Sequence, residues 1–125
     1  MRGASAIDDV LATLPYERVR VYAVWEPVLG EDTGVPDDSL AALDDERVRH
    51  FWDADKLLAR ALGGAPRFQK DVGFNMKGTL WDVALVYPPG VTWDAGRDPL
   101  FAGGQVYKVT EDVRGWIRAR GVKPQ

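Results

Sequence analysis

Two strand-like runs with a helix-like segment between them constrain this chain most. RVRVYAVW (18–25) and ERVRHFW (46–52) are rich in β-branched and aromatic residues, which favour strands. Between them, Pro36 suits the first turn of a helix running to about Leu43. A strand–helix–strand order calls for a crossover and a parallel pair. Residues 21–25 are apolar at every position, which predicts a central strand in a sheet covered on both faces.

The other elements extend this frame. Ile7, Val10, Leu11 and Leu14 recur at helical spacing and predict an amphipathic helix over 4–14. Ser5 is its expected cap, Asp8 and Asp9 suit its first turn, and Pro15 ends it. Residues 27–36 read as loop, and 54–62 as a helix ended by Gly63-Gly64. Residues 64–79 read as a long exposed loop. LWDVALVY (80–87) is a strand, Pro88-Pro89-Gly90 a turn and 91–93 a short strand, together a hairpin. Residues 94–104 read as irregular. A last helix over 106–120 places Val109, Val113, Trp116 and Ile117 on one face, with Arg118, Arg120 and Lys123 near its favourable end. The order α–β–α–β–α–β–β–α predicts an α/β fold: a mixed central sheet of about four strands with helices on both faces. At 125 residues, one domain over 1–125 is expected.

Composition removes whole classes of chemistry. There is no cysteine, so disulfides, thiol catalysis and cysteine-ligated metals are out. A single histidine, His50, rules out a multi-histidine site within one chain. No metal or other cofactor is called for. The net charge of −3 argues against nucleic acid as a partner. No apolar run approaches the ~20 residues of a membrane helix, so no membrane partner is expected. Residues 1–16 lack the apolar core of a secretory signal, and a cytoplasmic location is the expectation.

In element order the chain resembles a thioredoxin-like domain over about residues 5–120. VYAVW (21–25) is similar to the strand that enters the Trp-Cys-x-x-Cys motif of that family. On that motif Trp25 matches the tryptophan, Glu26 the nucleophilic cysteine and Leu29 the resolving one. FWDADKLLARALG (51–63) resembles the next strand, its aspartate and the helix after it. LWDVALVYPPG (80–90) resembles the strand that begins with a cis-proline, where this chain has Trp81. The resemblance implies the fold, while the missing cysteines and cis-proline contradict the family's usual thiol–disulfide activity. The segments VWEPVLGEDT, RVRHFWDADKLLARALG and WDVALVYPPGVTW also look like a group of small bacterial thioredoxin-like proteins without an assigned activity.

In open α/β sheets ligands bind at the carboxyl ends of the strands. That rim would carry Trp25, Glu26 and Pro27 on one strand, Trp52 and Asp53 on the next, and Trp81 and Asp82 on a third, with Asp32 in the nearby loop. Two readings are open for the acids: a general base or hard-cation ligand, or helix caps and water-facing groups. Two are open for the tryptophans as well: an aromatic-lined binding surface, or core and rim packing. His50 shares a strand face with Val48 and Trp52 and reads as a hydrogen-bonded structural residue. Gly63-Gly64 and Gly103-Gly104 lack the context of a phosphate loop. The two serines, Ser5 and Ser39, look like helix starts, which leaves no serine hydrolase set.

In the resembling fold an N-terminal strand would cover the outer edge of RVRHFW, and here only residues 1–4 precede the first helix. That edge is expected either to be guarded by Arg47 and Arg49 or to pair with a second copy. The leading expectation is therefore a redox-inactive interaction module, a homodimer or a binder of another protein. The alternative is a small-ligand-binding protein or non-redox enzyme at the aromatic and carboxylate rim.

Overall fold

The computed structural model describes residues 2–27, 34–65, 74–76, 78–92 and 98–119, and for 74–76 the backbone only. Among them the chain is mixed α/β. Its elements are α1 (Arg2–Ala12), β1 (Val21–Trp25), α2 (Asp37–Ala42), β2 (Val48–Trp52) and α3 (Leu57–Gly63). β3 (Phe74–Met76), β4 (Thr79–Trp81), β5 (Val83–Val86), β6 (Phe101–Gly104), a 3-10 turn (Val106–Lys108) and α4 (Thr110–Ala119) follow.

β1 and β2 pair in parallel, Val21 opposite Val48 and Trp25 opposite Trp52, as the strand–helix–strand order requires. The expected sheet of about four strands is divided, however. The described strands form three two-stranded sheets: β1–β2, antiparallel β3–β4 and antiparallel β5–β6. Asp82 makes one of these divisions. Its φ of 52° interrupts the expected strand over 80–87, so Leu80 pairs with Asn75 whereas Leu85 pairs with Ala102. Aspartate tolerates this left-handed conformation better than most side chains.

Several local expectations change with this pairing. The stretch 64–79 contains β3 and the start of β4, so it is not loop throughout. Residues 101–104, read as irregular, form the strand that pairs with β5. The hairpin expected between 80–87 and 91–93 is replaced by this longer-range pair. Val91 and Thr92 lie outside any strand, and Trp93 lies outside the described residues. Gly90 does make the turn, with φ 76°. α1 begins at Arg2, which puts Ser5 inside the helix rather than at its cap.

α1 carries two cores on two of its faces. Ala4 and Leu11 join Leu43 and Val48, with Val21, Ala23 and Trp25 packed alongside. Val10 and Leu14 join Val113, with Val86, Phe101, Val109 and Ile117 around them. A third cluster joins Leu62 of α3 to Leu80 of β4. Val10 and Leu11 are the largest fully buried side chains, so α1 is the element both larger clusters share. Trp116 on α4 is half-buried.

Arg47 holds the carboxyl end of α1. Its guanidinium donates to the carbonyls of Leu11 (2.9 Å), Leu14 (2.6 Å) and Glu17 (3.1 Å). It also forms a two-pronged pair with Asp45, at 2.9 and 2.8 Å. The last carbonyls of a helix lack intrahelical partners, and a cation there also meets the negative end of the helix dipole. Arg47 is thus turned into the fold rather than guarding an edge. Arg49 is exposed, and its guanidinium donates to the Glu46 and Val48 carbonyls. Among the described residues no helix is long and apolar enough to cross a membrane.

Candidate functional site

The parallel pair has two unlike faces. Val21, Ala23 and Trp25 of β1 point to the core, together with Val48, His50 and Trp52 of β2. The alternate residues face outward. The expected covered central strand is therefore corrected: α1 and α2 pack on one face only. Tyr22 (60% exposed), Val24 (40%) and Phe51 (49%) stand on the other face, and Leu57 at the start of α3 is 68% exposed. The Tyr22 and Phe51 rings touch across the strands, 5.9 Å between centroids and tilted by 43°. The outward row continues toward the N-terminus with Arg20 and Arg18, and β2 adds Arg49, all exposed.

The carboxyl ends of the strands bring together part of the expected rim. The Trp25 indole N–H donates to His50 Nδ1 at 2.9 Å, and the two rings lie edge to edge, 6.1 Å between centroids with their planes 22° apart. His50 Nε2 lies 3.1 Å from the Leu43 carbonyl. One nitrogen accepting and the other donating describes a neutral imidazole protonated on Nε2. His50 is the hydrogen-bonded structural residue that its strand position suggests, and Trp25 is occupied on the core side. Trp52, opposite Trp25, is half-buried on the same face.

Asp53 is a helix cap. Its backbone N–H donates to the Trp25 carbonyl at 2.7 Å, and its carboxylate accepts from the Leu57 and Leu58 N–H groups at 2.8 and 2.9 Å. These are the unpaired donors at the start of α3. Asp82 is likewise engaged, accepting from the Val106 N–H at 3.2 Å. Trp81 lies in β4, in a different two-stranded sheet from Trp25 and Trp52. Pro27 is half-buried after Glu26, and Asp32 lies outside the described residues.

Glu26 is the acid whose chemistry is altered. Burial pushes its carboxyl above the ordinary glutamate range, Lys56 opposes this, and the nearby Asp53 carboxylate adds to it. Glu26 and Asp53 thus share a neighbourhood with Lys56. Among the described residues no group of three or more His, Asp or Glu could hold a metal ion.

The sign of the Glu26 shift gives a pH test. A folded-state pKa above the unfolded 4.5 means that the native protein holds the proton to higher pH. Glu26 therefore costs stability as pH rises from 4.5 through its folded value. Glu26→Gln is expected to raise the melting temperature at pH 7, with the gain vanishing below pH 4.5. Melts at several pH values check this, and a variant less stable at neutral pH would contradict it.

No family model matches the chain, and no curated protein or solved structure matches it.

The outward Tyr22–Val24–Phe51 surface was missed by reading 21–25 as covered. The signal for it was present. Arg18 and Arg20 share the parity of Tyr22 and Val24, and Arg49 shares that of Phe51. Charges recurring at every second position mark the side that faces water.

Proposed function

We propose that this chain is a redox-inactive, thioredoxin-like interaction module that works as a homodimer. The observation that carries the reading is the outward face of β1–β2, where Tyr22, Val24 and Phe51 form an exposed apolar patch. Such patches on a small domain favour protein contacts. The thioredoxin-like part is supported by the parallel β1–β2 pair around α2 and by the antiparallel β5–β6 pair leading into α4. With no cysteine, the thiol chemistry of that family has no nucleophile here.

The dimer part rests on the strand edges. Among the described residues β2 pairs with β1 alone, which leaves its other edge open. A two-fold pairing of β2 with β2 of a second copy would satisfy that edge and make one continuous four-stranded sheet. The reading includes a cytoplasmic location. A small-ligand or enzymatic role at the strand ends has Glu26 in its favour, but Trp25, Asp53 and Asp82 are already committed to structural bonds.

Light scattering coupled to size exclusion tests the dimer. At tens of micromolar the expected mass is twice the 13.9 kDa of one chain. A mass of one chain at that concentration would remove the homodimer.

A further inference from the structure

The outward face of β1–β2 is divided by chemistry along its length. Toward the start of β1 stand Arg18 and Arg20, with Arg49 beside Tyr22 on the neighbouring strand. Toward the strand ends stand Val24 and Phe51, opposite each other, with Leu57 exposed at the start of α3. No acid interrupts the rows 18, 20, 22, 24 and 49, 51. Among the described residues no ion pair engages Arg18 or Arg20, and the bonds of Arg49 run to neutral carbonyls. The charge of these three side chains is therefore left for a partner. Glu26 and Asp53 close the apolar end.

Resting on the reading of the chain as an interaction module, we propose that this face binds an acidic protein segment. The segment would lie along β1, with an aromatic or aliphatic anchor on Tyr22, Val24 and Phe51 and carboxylates toward Arg18, Arg20 and Arg49. From position 18 to 24 an extended strand spans about 20 Å, the length of some six residues of peptide. Arginine favours carboxylates through its planar fork, and exposed aromatic rings supply anchoring area at low entropic cost. Complementary charge would set the on-rate and the orientation, and the apolar half would set the lifetime of the complex.

Arginines beside aromatic rings also suit a single nucleic-acid strand, and two observations favour the peptide. Base stacking needs flat, accessible ring faces, whereas the Tyr22 and Phe51 rings are tilted against each other at 43°. The apolar end is part aliphatic and is closed by two carboxylates, which would repel phosphates.

Fluorescence anisotropy with three labelled probes tests this on the full chain. The first is a short synthetic peptide with Phe and Leu anchors followed by glutamates. The second has every glutamate replaced by lysine, and the third is an oligothymidylate. The glutamate peptide is expected to bind best and to weaken as salt is added. Phe51→Ala and, separately, Tyr22→Ala should each weaken it about tenfold or more. Arg20→Glu with Arg49→Glu should shift the preference to the lysine peptide. Circular dichroism of each variant confirms that it is folded, as expected for exposed positions. If the lysine peptide binds as well as the glutamate one and still depends on Phe51, the acidic partner is wrong while the interaction module stands. If neither peptide shows Phe51-dependent binding, the proposal and this use of the face fall together. Tighter binding of the oligothymidylate would overturn the peptide in favour of nucleic acid.

Discussion

Arg47→Met is expected to destabilise the protein by about 3 kcal/mol, because a single guanidinium ties the end of α1 to the start of β2. Methionine fills much of the same volume but donates no hydrogen bond. The carbonyls of Leu11, Leu14 and Glu17 would lose their bonds to Arg47, and the Asp45 carboxylate would lose its two-pronged partner. Because α1 is shared by the two larger core clusters, loosening its last turn reaches both. Arg47→Lys keeps the charge but cannot reproduce the fork, so a cost nearer 2 kcal/mol is expected. Urea unfolding measures both, and a loss below about 1 kcal/mol for the methionine variant would show the clamp to be unimportant.

The same pair has a pH signature. The Arg47 side chain holds the Asp45 carboxyl well below its usual 3.8, at about 2, mainly through its hydrogen bonds. An acid whose folded pKa is depressed contributes stability above its unfolded pKa and loses it as pH falls through the folded value. The contribution should therefore be complete above pH 3.8 and fade toward pH 2. Solvent screening at this partly exposed pair brings it to about 1 kcal/mol. Arg47→Met should flatten the acid limb of the stability profile by that amount.

The second large effect is expected at Gly63. It is the last residue of α3, and a Cβ there would run into the Gly78 carbonyl and come within 2.9 Å of the Thr79 amide nitrogen. Both are backbone, so neither can swing aside as a flexible side chain would. Alanine normally improves a helix over glycine by about 1 kcal/mol, but here overpacking dominates, and Gly63→Ala should cost roughly 3 kcal/mol. Gly64→Ala is the control. Gly64 has ordinary helical angles, φ −83° and ψ −11°, and its Cβ would meet only the Arg60 carbonyl at 3.3 Å. A change within about 1 kcal/mol is expected there. Equal losses at the two positions would mean that a general glycine effect, not the approach of α3 to β4, is being measured.

Gly63 also shows where a sequence reading stops. The doublet Gly63-Gly64 is legible as the end of a helix, because glycine ends helices. That Gly63 is needed because another backbone lies against it depends on residues fifteen and sixteen positions further on, Gly78 and Thr79. For Asp53 a helix cap was one of the two readings left open for the acids, and its bonds to the Leu57 and Leu58 amides decide for that one. Asp82 carried no such sign. Its left-handed backbone and its bond to Val106 make it the hinge between two sheets, and a run as apolar as LWDVALVY conceals that break.

The sequence by itself determined the α–β–α–β–α order of the first half, the parallel pairing of 21–25 with 48–52, the apolar faces of α1 and α4, and the loss of all thiol chemistry. These follow from local rules: period, crossover geometry and residue chemistry act over a few neighbours. Tertiary structure alone decided which strands share a sheet. It also turned Arg47 inward, and it engaged Trp25 and Asp53 in structural bonds while leaving Tyr22 and Phe51 exposed. The physical reason is competition for burial. α1 presents two apolar faces and packs one of them on β1–β2 and the other on α4 and β5–β6. With α1 and α2 on its inner side, the outer side of β1–β2 is left exposed among the described residues. The arginine alternation at 18, 20 and 49 marks the water-facing side, but no periodicity in the strands records which elements cover the other.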